Sequence, residues 1–171
     1  MNNYLALTVI SDDRPGIVEK IADVVRTNGG NWLESSMSRL AGKFAGLLLI
    51  EINEHQQQQL IDELHKLKSS GLRISVEPSA AFERATGQLV SMNVVGNDRP
   101  GIVGEISTLL AKLHVNVEEL TTSCEEAPMS AEVLFRADAK IHLPENLSLG
   151  DLQSALETLS DDLIVELECN I

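Results

Sequence analysis

Residues 4 to 11, Tyr-Leu-Ala-Leu-Thr-Val-Ile-Ser, place apolar side chains at every second position, the pattern of a strand with one buried face. Ile17, Val18, Ile21, Val24 and Val25 then recur at helical spacing. Pro15 suits the first turn of that helix, where its missing N–H leaves no bond unmade, and Asn28-Gly29-Gly30 stops it. Residues 31 to 41 and 43 to 53 predict two strands joined as a hairpin at Ala41-Gly42. Asn53, with Gln56 three residues on, reads as a capping box opening a second helix. Its apolar stripe is Leu60, Ile61, Leu64 and Leu67; Gly71 ends it, and residues 72 to 77 form the last strand. The predicted order is βαββαβ.

The pattern then repeats. Asp13-Arg14-Pro15-Gly16-Ile17-Val18 recurs as Asp98-Arg99-Pro100-Gly101-Ile102-Val103, at an offset of 85. Leu5, Leu7 and Val9 map onto Val90, Met92 and Val94, and Asn31 maps onto Asn116. At the same offset Leu48 and Ile50 map onto Val133 and Phe135. The second copy then gains about seven residues around Pro144, so its excess is expected between 138 and 148. The second copy's helices are expected near 101 to 113 and 149 to 160. These observations predict an α+β chain of two tandem ferredoxin-like units, each an antiparallel sheet with both helices on one face. The units are 1–77 and 88–171, with 78–87 as a linker. Crossover handedness places the first and third strands centrally and leaves the second and fourth as edges. Such edges and a helix-free sheet face predict association of the units and of chains, as a homo-oligomer.

The doubled motif is the candidate chemistry. A strand runs straight into a helix N-terminus, where N–H groups near Gly16 and Ile17 can accept a carboxylate. Gly16 lets a ligand approach the backbone closely. Asp13 beside it can take an ammonium in a charge-assisted hydrogen bond. Asp98, Gly101 and Ile102 repeat the set. A free amino acid carries those two charges a few ångström apart. The plainer alternative is a helix start with Asp13 as a local cap, and Arg14 and Arg99 exposed or paired to nearby carboxylates. Trp32, the sole tryptophan, opens the second strand and reads as packing.

A strand, then Asp-Arg-Pro-Gly-Ile-Val, then a helix, inside a βαββαβ unit, resembles the ACT domain, a family of small regulatory modules that bind amino acids. The resemblance covers nearly the whole chain as two copies. It implies effectors held between two domains, touching the first turn of one and the start of the second strand of its neighbour. Asn31 and Asn116 match that strand start. The family's residue before Arg-Pro-Gly is often Asn; Asp13 and Asp98 stand there instead, and an ionised Asp only accepts. A two-copy chain with no attached enzyme further implies a non-enzymatic regulator acting through a protein partner such as a transcription activator. The specific expectation is a repressor of glycine cleavage genes that does not itself contact DNA, with glycine the first candidate ligand. The alternative is a stand-alone effector subunit controlling a metabolic enzyme.

Composition narrows this further. Of 171 residues, 13 are Lys or Arg and 26 Asp or Glu, a net charge of -13, which opposes phosphate contact and direct nucleic-acid binding. Aromatics at 3% leave too few rings for a base-stacking platform. The longest apolar run, Phe44 to Ile50, has strand length, so no membrane span is expected. The opening MNNYLALTVISDDRPG lacks a basic n-region, and a cytoplasmic location follows as the expectation. Cys124 and Cys169 lack metal-ligand spacing and read as ordinary thiols. His55, His65, His114 and His142 lack it too and read as surface or helix-end residues. No nucleophile elbow or phosphate-cradling pattern is present, so neither catalytic residues nor a cofactor or metal is expected.

Overall fold

The computed structural model describes residues 1–79, 87–126 and 132–169. The chain forms two units, Met1–Glu83 and Arg84–Ile171. In the first, β1 (Asn2–Asp12), α1 (Ile17–Thr27), β2 (Asn31–Leu40), β3 (Lys43–Asn53), α2 (Glu54–Lys66) and β4 (Arg73–Ser79) follow in order, with a turn of 3-10 helix, Leu67–Ser70, before β4. The second repeats it as β5 (Gln88–Asn97), α3 (Ile102–Lys112), β6 (Asn116–Glu126), β7 (Val133–Leu143), α4 (Leu149–Glu157) and β8 (Ile164–Cys169). The sheets are antiparallel, ordered β2-β3-β1-β4 and β6-β7-β5-β8. Each unit is therefore the ferredoxin-like βαββαβ arrangement, with the first and third strands central.

Alternation along the central strands builds each core. Leu5, Leu7 and Val9 of β1 are buried with Leu48, Ile50 and Ile52 of β3, under Ile21 and Val25 of α1 and Leu60 and Leu64 of α2. Val90, Met92 and Val94 play the same part in the second unit, beneath Ile106, Leu110, Leu152 and Leu156. Each such side chain contributes about 1.5–3 kcal/mol by leaving water. Trp32 packs against the first core, as the sequence suggested. The edge strand β6 is exposed throughout. Val117 and Leu120 of β6, and Val103 of α3, remain open to solvent.

Several local expectations change. Pro15 lies ahead of the helix rather than in its first turn. Gly16, at φ 86 and ψ 5, is the residue that caps α1, and Gly101 caps α3 at φ 92 and ψ -7. Arg-Pro-Gly-Ile is instead a turn with Pro at its second position and a left-handed Gly at its third, the residue chemistry of a type II turn. The capping box is half made. Asn53 Oδ1 accepts from the His55 N–H at 3.0 Å, but the Gln56 amide lies against Gly29, 2.8 Å from where a Cβ there would stand. Pro78 and Ser79, expected in the linker, extend β4 and face Leu5 and Tyr4; residues 80–86 of that linker lie outside the described residues.

The repeat also closes in a different register. Leu5 faces Ile50 and Val90 faces Ile141, so the counterpart of Ile50 is Ile141, not Phe135. Likewise Leu48 corresponds to Ala139, not Val133. Leu40 pairs with Lys43 across two residues, whereas Glu125 pairs with Leu134 across eight, 126 to 133. Six extra residues therefore sit at the β6–β7 hairpin rather than between 138 and 148; of these, 127–131 lie outside the described residues. The misreading has a physical cause. An even slip leaves every side chain on its own face, so alternation cannot report it.

Candidate effector site at two helix N-termini

Each motif begins as an overhang of the central strand. The Asp13 N–H donates to the Gly42 carbonyl at 3.0 Å, and the Asp98 N–H to the Val133 carbonyl at 2.8 Å. The next turn brings the backbone to the helix. In the first unit the Lys20 N–H makes the opening helical bond, to the Gly16 carbonyl at 3.1 Å; in the second the Glu105 N–H bonds Gly101 at 3.0 Å. Neither Gly16 nor Gly101 is assisted by a side-chain cap, so Asp13 does not act as one. Ile102, expected to offer a free N–H, donates it to the Arg99 carbonyl at 3.4 Å and closes the turn. The donors ahead of the first helical bond in α3 are then the amides of Val103 and Gly104, which the sequence reading did not single out. Ile17 and Ile102 bury their side chains in the cores, and so contribute backbone alone.

The side chains around the two motifs differ. Arg39 of β2 sets its Nη1 3.4 Å from Asp13 Oδ2. Cys124 of β6 stands at the same place in the second unit, since Arg39 faces Phe44 and Cys124 faces Phe135. Desolvation, with the charge and hydrogen bond of Asp98, pushes the Cys124 thiol up. Arg14 donates to the Ser70 carbonyl at the end of the 3-10 turn. Arg99 instead forks onto Glu105, at 2.7 and 2.5 Å, and that hydrogen bond holds the Glu105 carboxyl below its usual range. Arg99 thus is carboxylate-paired, while Arg14 is held by a carbonyl.

Asn31 and Asn116 are exposed at the starts of β2 and β6, facing Glu51 and His142. They do not meet the aspartates of their own unit. Asp12 faces Lys43 and Asn31 faces Glu51, eight residues along β3. At ~3.3 Å per residue that is about 26 Å, the length of the ladder. His142 is not a surface or helix-end residue. It sits on β7 with its side chain 12% exposed, and its Nε2 lies 2.7 Å from the Glu118 carboxylate at the β6 bulge. A hollow of about 430 Å³ lies on the helix-free face of the second sheet, between Asn93, Asp138, Lys140 and Glu166. No motif residue lines it. Cys124 and Cys169 are exposed free thiols.

Two family models described as the ACT domain match the chain, over residues 3–77 and 90–159. The chain belongs to the ACT domain family and carries two such domains in tandem. Over 172 aligned residues it is 23% identical to the glycine cleavage system transcriptional repressor of Escherichia coli (strain K12), covering 99% of this chain and 90% of that protein. Among solved structures it resembles an unknown protein from Galdieria sulphuraria, with a TM-score of 0.82 at 25% identity and all of both chains covered. A crystal structure assigned as a glycine cleavage system transcriptional repressor gives a TM-score of 0.75 at 20% identity over 99% of each chain, a likeness of fold.

Proposed function

We propose that the chain is a non-enzymatic regulator that senses a small amino acid, glycine first, and acts through a protein partner in the cytoplasm. The observation that carries this reading is the repetition, in both ACT domains, of one polar turn. An Asp fixed by its own N–H to the neighbouring strand stands beside a left-handed Gly and the unpaired amides of a helix N-terminus. That arrangement offers an anionic acceptor to an ammonium and a positive dipole end to a carboxylate. Asn31 or Asn116, about 26 Å away in its own domain, can complete such a site only from another ACT domain.

The full-length similarity to the Escherichia coli repressor supports a role in repressing glycine cleavage genes. With a net charge of -13 the chain is unsuited to holding DNA itself. On this reading the partner is a DNA-bound activator. The mechanism is differential binding: an amino acid that bridges two domains favours one packing of them, and the partner reads that packing. Its effect is bounded by the ligand's preference between the two states. Val103 of α3 and Val117 and Leu120 of β6, all exposed, support chain association.

Partner capture from cell extract, with and without glycine, tests this. Recovery of a transcription activator in a glycine-dependent manner is expected. Recovery of a metabolic enzyme would instead favour an effector subunit, and glycine-independent recovery would remove the sensing role.

A further inference from the structure

The two domains carry the same motif but do not present it alike. Asp13 and Asp98 leave their strands from equivalent places, each tied by its N–H to the carbonyl at the start of the facing strand. What differs is the residue that faces them from the edge strand. In the first domain it is Arg39, whose guanidinium lies 3.4 Å from Asp13. In the second it is Cys124, a neutral thiol in contact with Asp98. Among the described residues no cation pairs with Asp98. An ammonium arriving at Asp13 must displace Arg39 and then lie beside a like charge. An ammonium arriving at Asp98 displaces only a weak thiol hydrogen bond.

The carboxylate end of a ligand meets the same asymmetry. Glu19 in α1 holds its Oε2 3.7 Å from where a Cβ on Gly16 would stand, so a negative charge already faces that helix N-terminus. Its counterpart in α3 is Gly104, with open space around it. Glu105 Oε1 stands nearly as close, 3.9 Å from where a Cβ on Gly101 would stand, but both its oxygens are held by the fork of Arg99 at 2.7 and 2.5 Å.

We infer that the amino acid occupies the second domain and not the first, and that the residue at position 39 or 124 decides which, an inference that rests on the amino-acid-sensing reading above. The first domain's motif is internally satisfied: its ion pair and its Glu19 supply the charges a zwitterion would bring. The second domain's motif keeps an uncompensated carboxylate beside open helix amides, and so suits a zwitterion small enough to span them.

Titration calorimetry of the full chain with glycine, alanine and serine as probes tests the division. One ligand per chain is expected. Cys124→Arg, which copies the first domain's ion pair onto an exposed strand position, is expected to weaken binding about tenfold or more, as is Asp98→Asn. Circular dichroism checks that both variants stay folded, and Asp98→Asn serves alone if Cys124→Arg does not. Two ligands per parent chain, or unchanged affinity in a folded variant, overturns the division while leaving amino-acid sensing intact. No binding of any of the three probes by the parent overturns the division and counts against the sensing reading as well.

Discussion

Replacing Gly16 by Ala separates backbone strain from packing. At φ 86 the residue is left-handed, and a Cβ there would meet nothing closer than Glu19 Oε2 at 3.7 Å. Space is therefore not the constraint. The left-handed backbone costs an L-residue about 1–2 kcal/mol, and the stiffer unfolded chain returns about 0.4–1 kcal/mol. A net loss of about 1 kcal/mol remains. With a urea slope of about 1 kcal/mol per molar for a domain this small, the midpoint falls by about 1 M. Trp32, the sole tryptophan, packs on the first core, so its fluorescence reads the first domain. Gly16→Asn is expected to lose less, because Asn tolerates the left-handed region. Gly46→Ala is the contrast. Its Cβ would collide with the Ser36 carbonyl oxygen and meet Met37 Cγ at 2.5 Å, so the strands themselves must part. It is expected to lose more than Gly16→Ala. An unshifted midpoint for Gly16→Ala, or an Asn variant weaker than the Ala variant, would refute the reasoning.

Other consequences can be checked separately. The Ser160 hydroxyl and the Asn97 N–H hold the Asp162 carboxyl below its usual 3.8, so its contribution is present above that pH and is lost as pH falls through the lower folded value. Asp162→Asn should therefore melt below the parent at neutral pH, with the gap closing on acidification; a gap independent of pH contradicts this. Because Asp98 raises the Cys124 thiol, after desolvation, Asp98→Asn should speed alkylation of Cys124 by iodoacetamide near pH 8, measured by peptide mass; an unchanged rate refutes the contact. Leu64→Ala empties a fully buried position between α2 and the first sheet and should cost about 2–5 kcal/mol by the Trp32 transition. A loss under about 1 kcal/mol would mean the helix packs differently.

The elements were legible wherever one period ran long enough. Leu5, Leu7 and Val9, and Leu60 and Leu64, name their own buried faces, and six identical residues mark the doubled turn. The β6–β7 register was not legible, because a slip of six residues conserves alternation. The same gap hid the site's surroundings. Arg39 reaches Asp13, and Cys124 reaches Asp98, only through hairpin pairing, so neither was visible as a neighbour along the chain. Pro15 was misplaced because two rules compete for Pro before Gly. The left-handed Gly16 decides for the turn over the first turn of the helix. Gln56 left its cap for Gly29, a tertiary contact that no local pattern contains.

Calorimetric titration of the intact chain with each of the twenty amino acids tests the central claim most directly. The account predicts saturable binding of a small amino acid, glycine first, weakened about tenfold or more when the Asp98 carboxylate is removed. Absence of binding by all twenty at millimolar concentration, with the protein folded, would contradict it.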